Sequence, residues 1–307
     1  MNSKFIKNNF KSYLALKFIE MSKKTKSDNQ SLQIPKPILI TAKFLQAISP
    51  KLTIHLAAKL FTTPIKHKIP KREYLMDKQS VQHDILIQSI NKTIKSYHYG
   101  NNPKKILLVH GWSGRGTQLV KIADELIELG YSTLSFDAPA HGKSKGNSSI
   151  MTEFIASIIE LDKQFGPFEY AIGHSLGGMS IINAINQNLK VKKAVIIGSG
   201  DLIQDIIIDF IQNLGLKPQF GDKLKNHFEQ KFGESMNNYS TSVVSKNIET
   251  PVFIIHDNND HDVNVKCAHN IHSHLKNSKL MITNNLGHRK ILGNQKVIDD
   301  IKEFLKS

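Results

Sequence analysis

From about Gln79 onward, short apolar runs alternate with longer amphipathic ones, and this alternation limits what the chain can fold into more than any other feature. Runs at 105–110, 132–137, 168–172, 193–197, 252–256 and 279–283 have strand length. Segments at 118–129, 150–165, 179–189, 265–275 and 291–305 carry apolar residues at helical spacing. Two further strand-like runs, at 84–90 and 93–99, are joined by Asn91-Lys92, a connection tight enough for a hairpin. Strands and helices that alternate in this way predict an α/β architecture, a mostly parallel eight-stranded sheet flanked by helices on both faces. In such sheets function collects at the carboxyl ends of the strands.

A chain of 307 residues suffices for one large α/β domain and an appendage. No internal repeat or Pro/Gly/Ser-rich linker divides the middle, so we expect an extension at 1–78 and one domain at 79–307. Cys267 is the only cysteine, which excludes an intramolecular disulfide and a cysteine-based metal site and fits a reducing compartment.

Charge separates the two parts. Of the formal +15, residues 1–72 supply 15 Lys/Arg against Glu20 and Asp28, a net of +13, while the rest balances 26 against 24. A segment this basic suits an anionic membrane surface, and the plainer reading is a solvated arm. Nucleic acid is not expected, because no recognisable binding motif lies beside it.

Within the first 30 residues Phe5, Ile6, Phe10, Leu14, Phe18 and Ile19 have the spacing of a short amphipathic helix. Lys11 and Lys17 interrupt the apolar core that a secretory signal needs, so a cytoplasmic location is expected, with or without contact to the inner face of the membrane. Two more helical pieces follow, at 38–48 and through Leu52, Leu56 and Leu60, with Ser49-Pro50 as N-cap and first helical residue. Neither reaches the ~18 apolar residues of a membrane span. They pack on the main domain or lie in a membrane interface, with lysines reaching toward headgroups.

Residues 201–244 break the alternation between two core strands. They are helical in places, at 202–214 and 224–232, and an excursion there is placed to be a small lid over the strand ends; an ordinary surface insertion is the alternative.

Four motifs fall at strand ends. These are His110-Gly111-Trp112, the run from Asp137 through His141-Gly142 to Ser144, Gly173-His174-Ser175-Leu176-Gly177-Gly178, and His256 to Asp260 followed by Gly287-His288. The third is a G-x-S-x-G pattern where a strand turns into a helix, a nucleophile elbow that would lift the Ser175 hydroxyl from a strained turn. In this order, the motifs make residues 80–307 resemble the α/β-hydrolase-fold superfamily, the esterases, lipases and thioesterases; nothing comparable covers 1–79.

The resemblance implies a Ser–His–Asp catalytic triad. A serine hydroxyl needs a base to take its proton, and a histidine oriented by a carboxylate supplies one. In this family the residues follow the order serine, acid, histidine. Ser175, Asp260 and His288 meet that order, with Asp257, Asp262 and Asp201 as competing acids. The family also places oxyanion-hole amides at positions matching Trp112 and Leu176. The Asp137 to Gly142 turn reads as a structural brace. Only Arg72, Arg115 and Arg289 are arginines among 41 basic residues, so Arg115 in the oxyanion loop and Arg289 beside the base are candidates to bind a substrate carboxylate or phosphate. His174, next to the serine, is a further candidate contact.

The expected activity is hydrolysis of a small-molecule carboxylic ester or thioester through an acyl-enzyme, with no metal and no organic cofactor. An acyltransferase using the same triad, and a non-catalytic module docked through the N-terminal extension, remain as alternatives. Neither substrate identity nor oligomeric state is legible in the sequence.

Overall fold

In the computed structural model, which describes residues 34–307, Asn91 adopts a left-handed φ of 48°. That turn folds β1 (Val81–Ile87) back antiparallel onto β2 (Lys92–Tyr99), with Ile85 opposite Ile94. Asparagine tolerates this backbone region better than most residues. Next come β3 (Lys105–Val109), β4 (Ser132–Asp137), β5 (Tyr170–His174), β6 (Lys193–Ile197), β7 (Val252–Asp257) and β8 (Ser278–Thr283). All eight join one sheet in the order β1-β2-β4-β3-β5-β6-β7-β8, parallel from β4 to β8 and antiparallel at β1 and β2.

The helices are α1 (Lys36–Ile48), α2 (Pro50–Thr62), α3 (Tyr74–Gln79), α4 (Val120–Glu128), α5 (Met151–Phe165) and α6 (Leu176–Asn186). They continue with α7 (Ile203–Asn213), α8 (Gln219–Phe232), α9 (Thr241–Ser245), α10 (Lys266–His274), α11 (Gly287–Lys290) and α12 (Gln295–Lys306). No helix among the described residues is long and apolar enough to cross a membrane. The helix expected within the first 30 residues lies outside the described residues.

Both faces of the sheet are covered, which is why its strands read as continuous apolar runs. Along β6, Ala194 and Ile196 join one core with Phe154 of α5, Ile181 of α6 and Ile271 of α10. Val195 and Ile197 face the other, with Ile122 of α4 and Ile301 of α12. A third apolar cluster joins Ala42 of α1 and Ile54, Ala57 and Ala58 of α2 to Ile207 and Ile211 of α7 and Leu224 and Phe228 of α8. The change of pattern near residue 78 is thus not a gap in packing: residues 34–307 form a single compact unit. Ser49 caps α2 as expected, its Oγ accepting the Leu52 amide at 3.3 Å with Pro50 in the first turn.

Several boundaries differ from the sequence reading: β1 covers Val81–Ile87 rather than 84–90, with a 3-10 turn at Gln88–Ile90, α8 starts at Gln219 rather than 224, and the closing helix starts at Gln295 rather than 291. Strand β5 starts at Tyr170 and runs to His174, and α6 starts at Leu176 rather than Met179. Phe168 is buried but precedes the ladder, which begins where Tyr170 pairs with Ile106 and Lys193. Gly177 and Gly178, which look like loop in the sequence, form the first turn of α6.

Candidate active site

Ser175 is the one residue between β5 and α6, and it sits at φ 54°, ψ −121°. A non-glycine residue there carries strain of about 1–3 kcal/mol, held only because the surroundings fix it. The sheet fixes one side: the Ser175 amide donates to the Ile197 carbonyl at 2.9 Å. Glycines allow the other side to close. A Cβ on Gly173 would lie 2.6 Å from the Gly177 carbonyl carbon, and one on Gly177 would strike the Val109 and His110 carbonyl oxygens. The elbow therefore forms only where β5, α6 and the end of β3 touch backbone to backbone.

Asp260 and His288 come together from the ends of β7 and β8. His288 Nδ1 lies 2.7 Å from Asp260 Oδ2. The other carboxylate oxygen accepts the Asp262 and Val263 amides at 2.8 and 2.9 Å, and His256 Nε2 is 3.4 Å from Oδ2. Burial acts to raise the Asp260 pKa, but the hydrogen bonds from His256, His288 and the Val263 amide outweigh it and hold the carboxyl well below its usual range. Asp260 is therefore an anion, and the His288 nitrogen facing it carries the proton.

The imidazole of His288 lies beside Ser175's neighbours. A Cβ on Gly198, which follows Ile197, would be 3.2 Å from His288 Nδ1. The His174 ring centroid is 4.5 Å from that of His288. His174 Nε2 is 2.8 Å from the His288 carbonyl oxygen, so it donates there and holds the backbone of the histidine rather than a ligand. Burial first, and then the neighbouring His288, push the His174 pKa down to about 3, so His174 is neutral.

Two of the competing acids, Asp257 and Asp201, hold other structure. Asp257 Oδ1 accepts the Asn259 amide at 2.9 Å, and its Oδ2 accepts the Thr283 hydroxyl at 2.6 Å and the Leu286 amide at 3.1 Å. It ties down the turn that carries His288. Asp201 accepts the Ser242 amide at 2.7 Å and an Asn270 amide hydrogen, bracing α9 against α10. Asp260, Asp262 and His288 bring potential ligand atoms within 4.8 Å of one another, the one group with metal-ligand spacing among the described residues. With Asp260 bonded to two amides and to the His288 imidazole, and His256 beside it, its geometry is that of a carboxylate orienting a base.

Gly111-Trp112-Ser113-Gly114 forms a turn closed by the Gly114 amide on the Gly111 carbonyl at 3.0 Å, with Ser113 at φ 55°. A Cβ on Gly111 would be 2.9 Å from the Ser175 Cβ, which puts this loop against the elbow. Leu176 opens α6, so its N–H is among those with no partner inside the helix. The Trp112 side chain packs edge-on against His141, ring centroids 5.1 Å apart. Asp137 braces the same region by accepting the Gly116 and Lys143 amides and the Tyr97 hydroxyl at 2.7, 2.6 and 2.8 Å.

Arg115 is not placed to meet a substrate anion. Its guanidinium is buried against Glu73 at 3.4 Å and donates to the Lys68 carbonyl at 3.1 Å. Arg289 is exposed on α11. The sequence reading missed Glu73, which is 2 % exposed and also accepts the Thr117 hydroxyl at 2.7 Å. A signal was available, since Glu73 is the only acidic residue between 29 and 76 and Arg115 needed a partner. With it comes a strap: the Ser149 amide donates to the Thr62 carbonyl, the Ile65 amide to Ser113 Oγ and Lys66 Nζ to the Ser144 carbonyl, at 2.8, 3.0 and 2.7 Å. The segment after α2 thereby holds the loops that follow β3 and β4.

Residues 106–237 match the alpha/beta hydrolase family. No curated protein matches the sequence. Among solved structures, an esterase from Pyrococcus furiosus is similar over 80 % of this chain and 96 % of its own, with 18 % identity and a TM-score of 0.59. A membrane phospholipase A, described as a bacterial virulence factor, is similar over 88 % of this chain and 96 % of its own, at 16 % identity and a TM-score of 0.58. A bromoperoxidase from Bacillus anthracis is similar over 74 % of this chain and all of its own, at 17 % identity and a TM-score of 0.56. Likeness at these identities is likeness of fold, and the reactions named differ.

Proposed function

This chain has the α/β-hydrolase fold, and from that premise we propose that it is a serine hydrolase cleaving a carboxylic ester or thioester through an acyl-enzyme. The observation that carries the reading is the 2.7 Å contact between His288 Nδ1 and Asp260, with the His288 ring packed on His174, the neighbour of a serine held in a strained elbow.

The chemistry follows from that arrangement. Asp260 fixes the proton on Nδ1, which leaves Nε2 of His288 as the base. Ser175 Oγ attacks the acyl carbonyl as His288 takes its proton, and the same proton passes to the leaving alcohol or thiol. Charge growing on the carbonyl oxygen meets the Leu176 and Trp112 amides, each such donor contributing about 3 kcal/mol to the transition state. Water, activated by His288, then releases the acid and restores Ser175.

Turnover of short and medium p-nitrophenyl esters by the wild type and by Ser175→Ala tests this. The reading expects loss of activity to background in the variant; activity that survives the substitution overturns it.

A further inference from the structure

Helix α1 is apolar on two sides. Its inner side, with Ile38 and Ala42, belongs to the cluster shared with α7 and α8. Its outer side exposes Ile40, Phe44 and Ile48 at four-residue spacing, by 68, 63 and 58 %, and Leu52 in the first turn of α2 is exposed at 52 %. Four-residue spacing keeps the three α1 side chains on one face of that helix. Thr41 and Ala47, exposed between them, are uncharged. A helix that is hydrophobic all round is buried on both sides or meets a membrane, and a contiguous exposed apolar row marks an interaction surface.

Charge selects the partner. Residues 34–72 hold eight Lys/Arg and no acidic residue, and Lys36, Lys43, Lys51 and Lys59 are exposed on the hairpin itself. A second copy would bring the same positive face, and residues 1–33, with seven lysines against Glu20 and Asp28, are basic as well. An apolar row gives a nucleic acid nothing to bind. Apolar side chains flanked by lysines match the boundary between acyl chains and anionic headgroups, where an interfacial helix sinks about 5–10 Å and each nearby lysine contributes about 1 kcal/mol.

We infer that the α1–α2 hairpin docks this protein on an anionic lipid bilayer, through Ile40, Phe44, Ile48 and Leu52. The hairpin rests on α7 and α8, and Met179 of α6 lies in the same cluster with Leu176 packed against it. Vesicle binding is read without turnover, so this inference stands or falls apart from the hydrolase reading.

The test is co-sedimentation of the full chain with phosphatidylcholine vesicles and with vesicles of phosphatidylcholine mixed with phosphatidylglycerol. Wild type partitions into the mixed vesicles and not the neutral ones. The Ile40→Ser/Phe44→Ser/Ile48→Ser variant loses about a hundredfold in partitioning, with Trp112 emission unchanged as the check on folding. In a second variant, Phe44→Trp, brominated acyl chains quench the new tryptophan and spare Trp112. Equal binding to neutral vesicles, no binding by wild type, a triple variant that binds like wild type, or an unquenched Trp at position 44 each overturns the inference; the last two would assign the face to residues 1–33 or a second copy.

Discussion

His288 Nδ1 and Asp260 Oδ2 lie 2.7 Å apart although the residues are 28 positions apart in the chain. Four further hydrogen bonds hold that pairing in place. Asp260 Oδ1 is fixed by the Asp262 and Val263 amides, Asp257 anchors the Leu286 amide just before His288, and His174 holds the His288 carbonyl. The pair is positioned by backbone on both sides, so a base oriented in advance does not depend on a bound ligand.

Replacing Asp260 by Asn is expected to lower kcat by about 10³–10⁴ while the protein stays folded, because the amide favours the wrong imidazole tautomer. Steady-state kinetics on an ester that wild type turns over measures it. A loss below about tenfold would mean that another group orients the base.

Acid should destabilise the protein earlier than carboxylates alone require. His110, His141 and His174 are buried, and burial lowers all three pKa values, to about 4 for His141 and about 3 for His174. Their unfolded value is about 6.5. The unfolded chain therefore binds more protons below that pH, and the stability of the neutral histidines is full above ~6.5 and lost as pH falls. Each contributes a slope of up to about 1.4 kcal/mol per pH unit in that window. Urea midpoints between pH 7 and 5, at about these limits, check it; a flat profile would contradict burial in the neutral form.

Glu73→Ala leaves the Arg115 guanidinium buried without its carboxylate. A loss of about 3 kcal/mol is expected from denaturant unfolding. Arg115→Leu should likewise affect stability far more than KM, whereas a raised KM with unchanged stability would return Arg115 to the substrate.

Ser175→Gly removes the penalty of a side chain at φ 54°. The variant should be inactive yet more stable by about 1 kcal/mol. Equal or lower stability would mean that the elbow stores no strain.

Sequence pattern carried the sheet and the order of the motifs because both depend on local rules: a period of two or 3.6, and glycines where backbones touch. The cluster of candidate residues at strand ends followed from the same alternation. What escaped the pattern was set by distant partners. Arg115 drew attention as a rare arginine, yet its partner Glu73 lies 42 residues away and only the fold shows them meeting. His174 looked like a substrate contact because it adjoins Ser175, and the β5 pleat turns it toward the His288 carbonyl instead. Gly177 and Gly178 fell outside the helix expected from Met179, yet they form its first turn, Gly177 against the Val109 and His110 carbonyls and Gly178 against Ser199 and Ile196.

The most direct measurement is covalent labelling of the full-length protein with a fluorophosphonate probe, followed by peptide mass spectrometry. Stoichiometric modification at Ser175 is expected, lost in Ser175→Ala and strongly slowed in Asp260→Asn. An unlabelled protein, or a label on a different serine, would contradict it.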